Sequence, residues 1–202
     1  MRPFYAFARM VTRLIFAVLY DVRFEGQENI PAQGGALVVC NHRFAKDPVV
    51  LSHAFPHRQI FFMSKAEWFQ HKPLGLLLGA LGAFPINRGE GDFGAIDHAV
   101  ELVKEGHLLG IFPEGTRNRT GGPMKPKSGA AFIARQTGAD VLPCALLFGE
   151  RRGLRSSITV KIGPLIPYRE LGFEEGERVS LRRASKLIMG RINTLLGWEA
   201  EP

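Results

Sequence analysis

Two cysteines in 202 residues exclude a disulfide framework. Cys40 and Cys144 sit inside the apolar runs 36–40 and 141–148, where a reduced thiol behaves as a small core hydrophobe and suits a reducing compartment. Acidic residues are also in short supply: 19 Asp and Glu face 26 Lys and Arg, leaving a formal charge of +7. Such a balance draws a chain toward nucleic acid, anionic lipid or an acidic carrier protein, and excludes none of the three. A long apolar run is missing too. The greasiest segment, 1–20, is broken by Arg9 and Arg13, so its uninterrupted stretch is only 14–20, well under the roughly 20 residues that cross a bilayer. No segment is polar or repetitive enough for disorder or an internal repeat.

What is present fits one domain with a buried core, at 46% hydrophobic and 22% charged residues. Residues 1–20 read as an amphipathic helix, with Arg2, Arg9 and Arg13 among Phe4, Tyr5, Phe7, Met10, Leu14, Phe16 and Leu19. Two readings of it stand: a helix lying among lipid headgroups with basic side chains reaching outward, or one docked on the domain. Residues 21–202 form the domain proper. There, apolar runs bounded by Gly, Pro and Asn alternate with helix-period segments, the pattern of an α/β domain with a largely parallel mixed sheet flanked by helices. Strands are expected over 22–25, 36–40, 60–63, 83–86, 108–112, 141–147 and 158–162. Helices are expected over 48–54, 73–81, 93–104, 129–136 and 179–196.

Three polar clusters follow strands on this map: Asn41-His42, Asn87-Arg88 and Pro113-Glu114-Gly115-Thr116-Arg117. In open α/β sheets the carboxyl edge is where ligands bind, so the clusters point to one shared site. His42 and Asp47 are five apart, which does not place them on one helical face. Pro48 disfavours helical geometry at Asp47 and suits the start of a helix, which casts Asp47 as an N-cap with the preceding loop folded back toward His42. The carboxylate would then orient one ring nitrogen and leave the other to take a proton from a substrate hydroxyl. On spacing alone, a helix cap beside a surface histidine explains the same residues equally well.

The order of the blocks carries more. Asn41-His42 with Asp47, then residues 82–88 (Gly-Ala-Phe-Pro-Ile-Asn-Arg), then Phe112-Pro113-Glu114-Gly115-Thr116-Arg117, then Val141-Leu142-Pro143, resembles the glycerolipid acyltransferase family from about residue 22 to 167. The resemblance implies transfer of a fatty acyl group to the sn-2 hydroxyl of a 1-acyl-glycerol 3-phosphate, giving phosphatidic acid in phospholipid synthesis. Acyl-CoA or acyl-carrier protein would be the co-substrate, with no cofactor and no metal. It implies His42 and Asp47 as the catalytic pair, Arg88 and Lys127 on the acceptor phosphate, Glu114, Gly115 and Thr116 around the glycerol, and Arg117 as a further phosphate contact or a loop brace. Pro143 is implied in packing near the donor. It further implies attachment to an anionic membrane surface on the cytoplasmic face, peripheral or monotopic. Asn87 and Ser128 stand where the family often carries an aspartate and a second lysine, and the N-terminal apolar segment is short.

Other readings remain beside it. Glycerol 3-phosphate or another lysolipid is the alternative acceptor, and a non-catalytic lipid-binding module is the alternative class. Cys40 and His42, two apart, would share a face if the strand continued, as a Cys-His enzyme requires, yet nothing near Cys40 lowers its pKa. His42, His53 and His57 with Asp47 match no common zinc spacing, and His53 and His57 read as surface residues beside a turn at Pro56. The cluster Arg151-Arg152-Gly153-Leu154-Arg155 lacks the aromatic interleaving of a nucleic-acid binder, so no nucleic-acid partner is expected.

Overall fold

The computed structural model describes residues 2–87, 92–152, 155–173 and 177–198. Among these residues seven strands form one sheet: β1 (Tyr20–Glu25), β2 (Ala36–Cys40), β3 (Ile60–Lys65), β4 (Ala83–Ile86), β5 (Leu108–Ile111), β6 (Asp140–Arg152) and β7 (Arg155–Ile162). Their order is β1-β7-β6-β2-β5-β3-β4. Every strand pairing is parallel except that of β6 with β7, which are consecutive in sequence and antiparallel. The mixed, largely parallel sheet is therefore as the alternation of runs predicts. Among the described residues seven α-helices accompany it, besides two short 3-10 turns: α1 (Pro3–Leu19), α2 (Asp47–His53), α3 (Glu67–Gln70), α4 (Lys72–Ala80), α5 (Phe93–Lys104), α6 (Gly129–Thr137) and α7 (Glu177–Leu196). The short α3 is the one that the sequence periodicity does not announce, since four residues are too few to show a repeat.

The central strands are unbroken apolar runs because helices cover both faces of the sheet. All five residues of β2 are buried, and its side chains alternate between two cores. Leu37 and Val39 join the side packed by α5, α6 and α7. Ala36, Val38 and Cys40 join the side covered by α2, with Val50, Leu51 and Phe55. Since β2, β3, β4 and β5 all run the same way, their carboxyl ends share one edge, with β2 and β5 adjacent at the centre and β4 at the rim.

Helix α1 lies against α2 and β1. Its inner side carries Tyr5, Ala8, Arg9, Thr12 and Phe16, while Phe4, Phe7, Met10, Leu14, Ile15, Val18 and Leu19 are exposed. Arg9 does not reach outward as its place among apolar residues suggests. Its guanidinium donates to the carbonyls of Phe55 and Pro56, just past the C-cap of α2, at 2.8 Å each. His53 departs from expectation as well. It is buried, with Nε2 3.0 Å from the Thr12 hydroxyl and its ring edge-on to Phe16. Burial, reinforced by Arg13 and Arg9 nearby, lowers its pKa to about 4. Among the described residues no helix is long and apolar enough to cross a membrane.

Candidate active site

The polypeptide leaves β2 at Cys40 and turns through residues 41–46 before α2 begins. Asn41 fixes the departure: its amide donates to the Leu146 carbonyl at 3.1 Å and accepts from the Leu146 N–H at 2.7 Å, tying the strand end to β6. The next residue, His42, is held at its backbone on both sides. Its N–H donates to Glu114 Oε2 at 2.8 Å and its carbonyl accepts from Asn118 N–H at 2.6 Å. Both partners come from the loop after β5, so the two central strand ends are stitched together.

Asp47 does not cap α2. Lys46 stands at the cap position, its carbonyl accepting from Val49 and Val50, and Asp47 is the first helical residue. Its carboxylate turns back into the loop instead. Oδ2 accepts from His42 Nδ1 at 2.8 Å, from Arg43 N–H at 2.6 Å and from Phe44 N–H at 2.7 Å, while Oδ1 is buried with no hydrogen bond. Because Oδ2 of a carboxylate can only accept, its 2.8 Å contact is made by the imidazole tautomer that carries its proton on Nδ1. Among the described residues nothing hydrogen-bonds Nε2. The five-residue spacing thus closes through the backbone amides between the two side chains.

Aromatic stacking fixes the ring plane. The His42 imidazole lies 4.1 Å from Phe112 at 19°, and Phe112 stacks in turn on Phe62 at 6.0 Å. Gly110 makes the stack possible, because a Cβ there would collide with the Phe62 ring.

His42 opens onto a cavity of about 650 Å³ bounded by α1, α2, β3 and the α3–α4 segment. Phe62, Met63, Trp68, Leu74, Leu78 and Leu81 give it a mostly apolar wall, with Tyr5, Ala8 and Thr12 of α1 on one side. Thr116 and Arg117, exposed after β5, stand at the same cavity. Gly115 adopts φ 70°, a left-handed turn open to glycine, and the Lys127 aliphatic stem packs where its Cβ would be. Lys127 is exposed, its backbone N–H bonded to the Pro113 carbonyl at 2.7 Å. Glu114 is buried behind His42 and is absent from the cavity wall. Burial raises its pKa, while the bonds from His42 and Asn118 pull the other way. Arg88 lies outside the described residues, just beyond Asn87 at the end of β4. Pro143 is buried in β6 opposite Val39, within the sheet.

The rival arrangements do not assemble. Cys40 is wholly buried on the α2 side of the sheet, and desolvation pushes its thiol well above the usual range, the reverse of what a nucleophile needs. Among the described residues no group of three or more His, Cys, Asp or Glu side chains is gathered as a metal would need. Sequence reasoning missed Asn118. Asn118 directly follows the Pro-Glu-Gly-Thr-Arg block, and that adjacency was the available signal.

Comparison with known proteins agrees with the geometry. Residues 21–147 match the family model described as Acyltransferase. The 1-acyl-sn-glycerol-3-phosphate acyltransferase of Bacillus subtilis is 34% identical over 141 residues, covering 70% of each chain. The Streptococcus pneumoniae protein of the same name is 30% identical over 145 residues, 70% of this chain and 53% of its own length. In fold, the crystal structure of the 1-acyl-sn-glycerophosphate (LPA) acyltransferase PlsC from Thermotoga maritima superposes with a TM-score of 0.70 at 23% identity, covering 98% of this chain and 81% of that one.

Proposed function

This chain belongs to the acyltransferase family, and from that premise we propose that it moves a fatty acyl group from an acyl thioester to the free hydroxyl of a 1-acyl-glycerol 3-phosphate. The observation that carries the reading is the His42–Asp47 hydrogen bond in a histidine that lines an apolar cavity. The acceptor hydroxyl gives its proton to Nε2 as its oxygen attacks the thioester carbonyl. Asp47 holds the imidazolium that forms, and collapse of the tetrahedral intermediate expels the thiolate, which takes the proton back from Nε2. The cavity accommodates hydrocarbon chain. Arg117 and Lys127, with Arg88, supply positive charge for the acceptor phosphate, where a guanidinium offers a fork and an ammonium a point charge. Thr116 hydrogen-bonds the glycerol portion. Glu114 acts through the His42 backbone that it holds. The thioester comes as acyl-CoA or acyl-carrier protein. The apolar outer face of α1 rests on the membrane, and we assign that membrane's cytoplasmic side, where both donors are found.

The test is thiol release from either donor, with lysophosphatidic acid, glycerol 3-phosphate and a second lysolipid as acceptors. Lysophosphatidic acid is expected to give the highest kcat/KM, and His42→Ala to lower turnover by on the order of 10²–10⁴-fold. Arg117→Ala and Lys127→Ala are expected to raise KM for the phosphorylated acceptor. Wild-type turnover in the His42→Ala protein overturns the mechanism, and equal use of all three acceptors overturns the choice of acceptor.

A further inference from the structure

The loop between His42 and Asp47 is held at its first end by Glu114 and Asn118. Its second end depends on Lys46. The half-buried ammonium lies 2.9 Å from the Tyr20 hydroxyl and 4.1 Å from the centre of the Tyr20 ring. It is also 5.3 Å from the centres of both Phe44 and Phe148, which meet edge to face at 4.7 Å. Among the described residues no carboxylate pairs with it. A lysine has a long flexible stem and usually keeps its charge in water, so an ammonium held by three rings and a hydroxyl has exchanged hydration for a specific cage. Each wall has a different origin: Tyr20 marks the junction of α1 and β1, Phe148 sits on β6, and Phe44 belongs to the loop itself. The cage therefore joins the loop to the α1–β1 junction and to β6.

We propose that Lys46 is a positioning residue, and that its aromatic cage sets the distance between Asp47 and His42. Lys46 and Asp47 share a peptide bond, and the Lys46 carbonyl starts α2. Movement of Lys46 therefore carries the Asp47 carboxylate with it, away from Nδ1 and from the Arg43 and Phe44 amides. Because Tyr20 terminates α1, the seating of that helix bears directly on the catalytic loop. The kinetic part of the proposal rests on the acyl-transfer reading. The geometric part does not.

Lys46→Met keeps the stem and removes the charge, and Lys46→Arg restores a cation that stacks on rings. The Met variant is expected to lose on the order of 10–100-fold in kcat with KM for the acceptor unchanged, the scale of a misplaced reacting group, and the Arg variant to recover most of it. A second readout is the low-field proton resonance of His42 Nδ1–H, assigned by its absence from His42→Ala. It is expected to stay sharp in wild type and Lys46→Arg and to broaden or vanish in Lys46→Met, with cooperative thermal unfolding retained. A Met variant that keeps both wild-type kcat and the resonance overturns the proposal. So does loss of both accompanied by loss of cooperative unfolding and no recovery in the Arg variant. A wild-type protein that releases no thiol overturns the acyl-transfer reading instead, and the resonance then decides the cage alone.

Discussion

Glu114 and His53 are both buried ionisable residues beside α2 or its loop, and they affect stability differently. Glu114 has a raised pKa, so the folded chain binds its proton more tightly than the unfolded chain. It therefore weakens the fold as pH rises from the ordinary carboxyl value of 4.5 through its own higher value. Glu114→Gln keeps an oxygen for the His42 N–H and removes the charge. Denaturant titrations at neutral pH are expected to find it at least as stable as wild type, with Glu114→Ala about 1–3 kcal/mol less stable for want of that hydrogen bond. His53 has a lowered pKa, so the unfolded chain binds the extra proton. Its contribution is complete above pH 6.5 and is lost as pH falls toward about 4, costing up to about 3 kcal/mol. A His53→Gln protein is expected to show a flatter stability profile across that window. Neither behaviour was legible in the sequence. His53 beside Pro56 looks like a turn residue until α1 covers it, and Glu114, expected around the glycerol, is seen behind His42 only once the two strand ends are brought together.

The elements themselves were easier to read. Residues 36–40 and 108–111 are runs with no polar residue, and such runs form central strands whatever their neighbours do. The β4 span 83–86 was legible through the glycine and asparagine that bracket it. The cap at α2 was not, since Pro48 marks the start of a helix but leaves open whether Asp47 faces forward onto the helix or back into the loop. The backward choice follows from the Arg43 and Phe44 amides, whose hydrogens converge on Oδ2. For α1 the composition showed amphipathic character but not which face was which. Arginine-rich helices usually turn their charges to water, yet Arg9 binds the carbonyls at the end of α2 and leaves Leu14 and Val18 outermost, 64% and 73% exposed. If that face meets lipid, burying one such side chain contributes at most about 1.5–3 kcal/mol. Val18→Asp is accordingly expected to lower vesicle co-sedimentation by roughly tenfold or more while leaving thermal unfolding unchanged.

At the scale of the whole molecule, the charge of +7 and the exposed apolar face of α1 would contribute separably to the membrane attachment proposed above. Attraction to anionic lipid is screened within about 10 Å at 0.1 M salt, whereas apolar burial is not. Co-sedimentation with anionic vesicles is expected to fall as salt rises from 0.01 to 0.5 M, and with zwitterionic vesicles to stay level. A salt-independent result for anionic vesicles would assign attachment to the apolar face alone. Charge was plain in the sequence, but the cavity was not, because its walls come from α1, α2, β3 and the α3–α4 segment and exist only once these are assembled. Helix α1 is the boundary between the two regions: Tyr5, Ala8 and Thr12 face the cavity, and Leu14 and Val18 face away. One 17-residue helix thus presents one side to the cavity and the other outward. If the cavity takes the acyl chain and the outer face meets lipid, as proposed, substitutions on the inner side would retune chain choice without changing the hold on the outside.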